Sequence, residues 1–420
     1  MQRDRRARTS NKKGVPQRIV SMPAYLTRFR CIGGACENTC CSGWVVPVDP
    51  KSHARYSSLP DSSLRKRLLD NLVRVETGQE AGQWSLRLRE SDNACDFLSP
   101  AGLCTLQQQR GPDFLCITCA TYPRVAMRVD GQLQRAAVLS CPEAARLALF
   151  SPRAMSLVRR PELPGVRDEL AADITTSTAH LGDPMASFDL FRSCSLDILR
   201  APRSLEERLV ALGHAFAGLR AERLYPDDVR RAFSGVVNDM PAIAERVRDV
   251  ERCPALLLPL LRGLAARDFF DDRAAGGYRQ IASRVQAGLG ADTPDASDEA
   301  VLARFEAAAE RLYKPYMAAH PYVMGNFLTN FIYATAFPFA EGKDPFVDYL
   351  ALVMRYCLLK VHLIGSAAAE GKLNDALVVA VVHRLERAVN HNQQFRNHVL
   401  RLLMNPETIT TEELTRIIVA

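Results

Sequence analysis

Residues 31–44 read Cys31-Ile-Gly-Gly-Ala-Cys36-Glu-Asn-Thr-Cys40-Cys41-Ser-Gly-Trp44, and the reading of these cysteines decides how the chain divides. Moving outward, Cys95, Cys104, Cys116, Cys119 and Cys141 follow, so nine of twelve cysteines fall between residues 31 and 141. Cys194, Cys253 and Cys357 are the others. Three chemistries compete for such a grouping. A disulfide framework suits a small secreted domain, but this chain is large and nine is an odd number. Unpaired structural thiols scatter through cores and do not gather among Gly, Pro and Asp. Metal ligation is the reading the grouping favours, with zinc and iron–sulfur as the choices. A zinc ribbon would repeat a Cys-x2-Cys pair, and this chain has one, Cys116-Ile-Thr-Cys119. Elsewhere the intervening residues number four, three, eight and eleven. Irregular loops converging on a cage favour a cluster slightly, and zinc stays open.

The local chemistry predicts a site built from loops. Gly33-Gly34 lets the backbone turn tightly and aim N–H groups at sulfur. The stretch from Cys95 to Cys104 turns around Pro100–Gly102, which brings its ends together. Residues 125–139 predict strand, turn and strand with Asp130-Gly131 at the bend, returning Cys141 to the other cysteines. Trp84 to Arg89 alternates and predicts a further short strand. These strands read as a minor scaffold for the site.

Beyond Cys141 the pattern becomes amphipathic and helical. Ser204 followed by Glu207 is a capping-box signature, and Leu377, Val381 and Leu385 recur at the spacing of one helix face. Similar stretches cover 226–238, 241–252, 297–313, 344–365 and 410–419, with strand signals scarce after residue 150. The expected fold is mainly α. A basic tail (1–21) precedes a cysteine-rich metal-binding region with a small β-hairpin (22–150), and an all-α domain of nine to eleven helices (151–420) follows. Tyr322, Asn326, Asn330 and Tyr333 recur at spacings of four, four and three, so one helix face could present them. They read either as buried groups satisfying backbone atoms or as a polar wall of a substrate pocket. His383, His391 and His398 lie outside the cysteine window and are left out of the metal site.

The net charge of +7 is nearly all in the tail. Residues 1–20 hold seven Arg and Lys against Asp4 alone, so the remaining body is close to neutral. A nucleic-acid binder normally carries a basic face on its folded body, so that class is disfavoured. The longest purely apolar runs have seven residues, too short for a membrane span, and the tail lacks the apolar core of a secretory signal. It reads as a solvated arm.

The cysteine stretches also carry a resemblance. Residues 31–44, Cys95-Asp-Phe-Leu-Ser-Pro-Ala-Gly-Leu-Cys104, Leu115-Cys116-Ile-Thr-Cys119-Ala-Thr-Tyr-Pro-Arg124 and Leu139-Ser-Cys141-Pro-Glu-Ala-Ala-Arg146 resemble the flagellin lysine-N-methylase family. So do Tyr322-Val-Met-Gly-Asn326-Phe-Leu-Thr-Asn330-Phe-Ile-Tyr333 and Phe337-Pro-Phe339, giving ordered motifs across roughly residues 22–400. The resemblance implies a bacterial cytoplasmic methyltransferase that uses S-adenosylmethionine on surface lysines of flagellin, and a [4Fe-4S] cluster held by the cysteine-rich part. Two methyl-donor signatures are missing. Gly288-Leu-Gly290 ends a helical pattern and follows no strand, and the Cys-x3-Cys-x2-Cys begun by Cys36 and Cys40 meets Gly43 at its third position. The other class of function is a zinc- or iron–sulfur-binding interaction protein, or a redox sensor switching at Cys40-Cys41 or Cys116–Cys119, without methyltransferase activity.

Overall fold

The computed structural model describes residues 18–75, 83–162, 166–167, 169–180, 182–220, 223–263, 277–293, 295–342 and 344–420. Most of the basic tail therefore lies outside the described residues. Eight strands occur among the described residues, in chain order: β1 (Ile19–Pro23), β2 (Val46–Val48), β3 (Leu72–Arg74), β4 (Trp84–Leu86), β5 (Arg124–Val129), β6 (Gln132–Ala137), β7 (Leu157–Pro161) and β8 (Leu170–Ile174). Five helices interrupt them: α1 (Pro50–Ser57), α2 (Ser63–Asp70), α3 (Thr105–Arg110), α4 (Ile117–Thr121) and α5 (Pro142–Leu149). The helical part contains α6 (Phe188–Arg200), α7 (Leu205–Ala217), α8 (Pro226–Asn238), α9 (Met240–Asp249), α10 (Leu258–Gly263) and α11 (Tyr278–Leu289). It continues through α12 (Asp298–Ala308), α13 (Lys314–Ala319), α14 (Val323–Ala334), α15 (Pro345–Glu370), α16 (Asp375–His391), α17 (Gln393–Leu403) and α18 (Thr411–Val419).

The expected hairpin forms as β5 and β6, paired antiparallel from Arg124↔Ala137 to Val129↔Gln132, with Asp130 and Gly131 both at positive φ in the turn. It is the centre of a five-stranded sheet, not a minor scaffold. The strand order is β7-β1-β6-β5-β8, with β1 parallel to β6 and β8 parallel to β5. The smaller sheet, β2-β4-β3, is antiparallel and includes the strand expected at Trp84.

Two expectations are corrected. Strands β7 and β8 fall within the stretch read as all-helical. Leu157-Val-Arg-Arg-Pro161 is mostly exposed and shows no alternation, so its strand state depends on pairing with β1 through five residues. Leu170-Ala-Ala-Asp-Ile174 is rich in helix formers, yet it completes the other sheet edge beside β5. Thirteen α-helices follow residue 187 among the described residues, where nine to eleven were expected. Proline opens α8, α9 and α15 as separate helices, and a π turn at Ala309–Tyr313 separates α12 from α13. The Ser204–Glu207 capping box forms as read.

Two apolar cores organise the chain. The larger joins the five-stranded sheet to α5, α6, α14 and the long helices. The smaller lies within residues 46–116 and is built from Val46, Val48, Tyr56, Leu68, Phe97 and Leu106 with their neighbours. Helix α15 is long and apolar enough to cross a membrane by length and composition, but it is surrounded by other helices and its apolar window is wholly buried. Asp348, Arg355, Lys360 and His362 are buried along it.

Candidate functional site

The nine clustered cysteines are free thiols in two neighbouring sets. Cys31, Cys36, Cys40 and Cys141 form the first, close enough that each thiol affects the ionisation of others. The hairpin brings Cys141 back to the opening loop, as its turn residues imply. Burial and the neighbouring thiols push Cys36 up and Cys141 to about 11. Cys41, Cys95, Cys104, Cys116 and Cys119 form the second set. Burial raises Cys95 to about 12. A hydrogen bond from Cys40 lowers Cys41 to about 7, and a similar contact with Cys119 lowers Cys116. The two sets are joined at the adjacent residues Cys40 and Cys41, whose side chains are hydrogen-bonded to each other.

Backbone contacts explain the convergence. Cys95 donates its N–H to the Cys41 carbonyl at 2.7 Å, and Leu98 bridges to Cys104 across the turn predicted there. Gly34 lies against the same turn. A Cβ at Gly34 would stand 2.3 Å from the Ala101 carbonyl oxygen, so glycine is required for the two loops to touch. Cys104, Cys116 and Cys141 each occupy the N-cap position of a helix, α3, α4 and α5. None closes a side-chain capping hydrogen bond. The Cys141 sulfur nevertheless lies by the N–H groups of Glu143 and Ala144, which favour its thiolate.

These donors have the right chemistry for a thiophilic metal, because nine unpaired thiols are crowded where their thiolates would repel one another. Among the described residues, no three Cys, His, Asp or Glu side chains stand in a metal-holding group. The described residues therefore show a crowd of free thiols and no metal-holding group. The cysteine region is also fastened to the helical part. Arg387 on α16 donates to Asn38 Oδ1 at 3.2 Å and to the Ser42 carbonyl at 3.3 Å, and Arg146 on α5 bridges Glu37 and Glu143.

The four polar candidates around α14 separate by role. Asn330 donates to the Ala137 carbonyl at 3.0 Å and accepts from the Tyr25 hydroxyl at 2.7 Å. Asn326 donates to the carbonyls of Ala148, Leu149 and Ser151 at 2.9–3.2 Å, satisfying the end of α5. Tyr322 lines a cavity of about 520 Å³ with Asn326, Thr329 and Leu157. Tyr333 lines a second cavity of about 460 Å³, and its hydroxyl accepts from Arg200 at 2.6 Å. Leu157 borders both cavities.

The second cavity contains two residues that the sequence reading missed. Arg192 on α6 is 5% exposed and donates to Gln134 Oε1 at 2.8 Å. Asp189, one turn earlier, is exposed and lines the same cavity. An Asp and Arg three apart normally read as a surface pair. The available signal was Phe188, Ser195 and Leu199, which place Arg192 on the buried stripe of α6.

A mainly helical chain with a sheet-backed cavity and a thiol-rich region matches one known family by sequence. The family described as FliB lysine N-methylase C-terminal domain matches residues 192–416, and this chain belongs to the lysine N-methylase family. Among its relatives, the lysine-N-methylase of Salmonella typhimurium is 24% identical over 412 residues, covering 90% of this chain and 95% of that protein. The lysine-N-methylase of Salmonella choleraesuis matches to the same extent. The flagellar biosynthetic protein FliU of Salmonella muenchen is 30% identical over 139 residues, 33% of this chain and 81% of that one. No solved structure matches this chain.

Proposed function

We propose that this chain is a cytoplasmic protein-lysine N-methyltransferase that moves the methyl group of S-adenosylmethionine to surface lysines of flagellin, with a [4Fe-4S] cluster on its cysteine-rich part. The observation that carries this reading is the family match, extended by alignment with lysine-N-methylases along nine-tenths of the chain.

Lysine must react as the neutral amine, although its ordinary pKa is about 10.4. A pocket that removes water and presents hydrogen-bond acceptors shifts it toward that form and aims its lone pair at the donor methyl. The 520 Å³ cavity offers Leu157 and Met155 beside the side-chain stem and the Tyr322 and Thr329 hydroxyls as acceptors. Tyr333 stands at the wall of the adjoining cavity. Asn326 and Asn330 hold the backbone of these walls.

A [4Fe-4S] cluster takes four thiolates, the number in the first set, so Cys31, Cys36, Cys40 and Cys141 would hold it. When bound, it would cross-link the opening loop to α5. Mass spectrometry of flagellin incubated with anaerobically purified protein and isotopically labelled donor tests the activity. Methyl-lysine is expected, and intact flagellin without it would count decisively against the reading. Iron and sulfide analysis with the visible spectrum tests the cluster. Colourless, zinc-loaded protein would remove the iron assignment and leave methylation standing.

A further inference from the structure

The 460 Å³ cavity lies between the β1–β6 strands and α6, with Leu157 and Tyr333 closing it. Its volume is in the range of small-molecule sites, and its lining is mostly apolar. Three charged residues face it. Arg135 already has a partner, Glu162, at 2.8 Å. Arg192 does not: its hydrogen-bond partner is the neutral amide of Gln134, and no described carboxylate lies within ion-pair distance. A buried guanidinium without a carboxylate is costly, and an incoming anion relieves that cost. The guanidinium rests 5.4 Å from the centre of the Phe188 ring, which fixes its position. Asp189 is likewise without an ion-pair partner among the described residues. One turn apart on a single helix, a cation and an anion that attract each other without closing an ion pair thus border one cavity.

We propose that this cavity binds the α-amino acid end of the methyl donor, with its carboxylate on Arg192 and its ammonium on Asp189. This rests on the methyltransferase reading above. The pairing follows from charge: a zwitterionic head group neutralises both side chains, whereas a simple anion would leave Asp189 facing like charge. Burial lowers the pKa of Arg192, which adds to the gain when it meets an opposite charge. The apolar walls cover the remainder of the donor. Leu157, shared with the 520 Å³ cavity, places the two sites side by side, as transfer between donor and lysine requires. The arginines of the 520 Å³ cavity are already engaged. Arg208 donates to the Ser204 carbonyl at 3.2 Å and to the Leu199 carbonyl, and Arg200 donates to Tyr333.

Calorimetric titration of the full-length protein tests the assignment with two probes. S-adenosylhomocysteine keeps the amino acid head group, and 5′-methylthioadenosine lacks it. Arg192→Gln and Asp189→Asn should each weaken S-adenosylhomocysteine about 10- to 100-fold, the usual loss for a charge-assisted hydrogen bond. Binding of 5′-methylthioadenosine should be unchanged. Since Arg192 is buried, its variant could fail to fold; the exposed Asp189→Asn keeps the test decisive. Unchanged S-adenosylhomocysteine binding in Asp189→Asn overturns the proposal, and its loss only in cysteine variants would place the head group at the metal site instead. Wild type that binds free methionine but not S-adenosylhomocysteine would refute the donor while keeping a zwitterion site. Wild type that binds donor normally yet leaves flagellin unmethylated would refute the function and not the cavity.

Discussion

Asn326 and Asn330 face the chain's own backbone, although their spacing on α14 fits a ligand-facing wall equally well. Their partners are 175 to 305 residues away, at the end of α5, at Ala137 and at Tyr25. No local pattern announces such partners, so the helix face was legible and its use was not. Asn326→Ala strips three carbonyls of their donor and should cost about 1–3 kcal/mol in urea unfolding. His362 gives a pH-dependent prediction. It is fully buried, with Nδ1 2.7 Å from the Leu358 carbonyl oxygen, and burial lowers its pKa to about 4. The unfolded chain binds the proton first, near 6.5, so stability present above that pH is lost as pH falls toward 4. His383, lowered to about 3, acts in the same direction. Asp348, raised to about 7, acts oppositely, losing stability as pH rises from about 4 to 7. Comparing wild type with His362→Gln isolates one contribution: the slope between pH 4 and 6.5 should fall by up to about 1.4 kcal/mol per pH unit.

At the level of elements, helices were easier to read than edge strands. The stretches 226–238, 297–313 and 410–419 appear nearly as expected because their apolar stripes and caps are local properties. Strands β7 and β8 escaped because their state is imposed by neighbours across the sheet. The cysteine loops were partly legible. Turn residues foretold which ends would meet, but spacing could not foretell that the Cys40 and Cys41 side chains would join the two sets. Helices α11 and α15 pack closely through Gly288 and Gly365. A Cβ at Gly288 would lie 2.4 Å from the Gly365 carbonyl oxygen, and one at Gly365 would lie 2.5 Å from Val285 Cγ1. Gly288, the first glycine of Gly288-Leu-Gly290, is thus a helix-packing residue. Gly365→Ala should force the helices apart and cost about 1–3 kcal/mol, read as a lower urea midpoint with an unchanged m value.

Across the whole molecule, the two cores differ in how they are sustained. The larger closes over long helices and a five-stranded sheet. The smaller is held within short strands, short helices and loops, with Cys95 and Cys116 among its buried members. If a cluster on Cys31, Cys36, Cys40 and Cys141 ties the opening loop to α5, removing it should loosen that loop and spare the long helices. Hydrogen exchange after anaerobic chelation should rise at amides of residues 31–44 and remain unchanged in α11 and α15. A uniform rise, or none, would show that these thiols do not tie the opening loop.

Helix α5 begins at Cys141, and its final carbonyls are gripped by Asn326. Eight residues make a rod of about 12 Å. One end stands in the sulfur-rich loops, and the other is moored to the helix whose Tyr333 borders the Arg192 cavity. One short helix thus spans the distance from the sulfur-rich loops to the helix that borders the cavity.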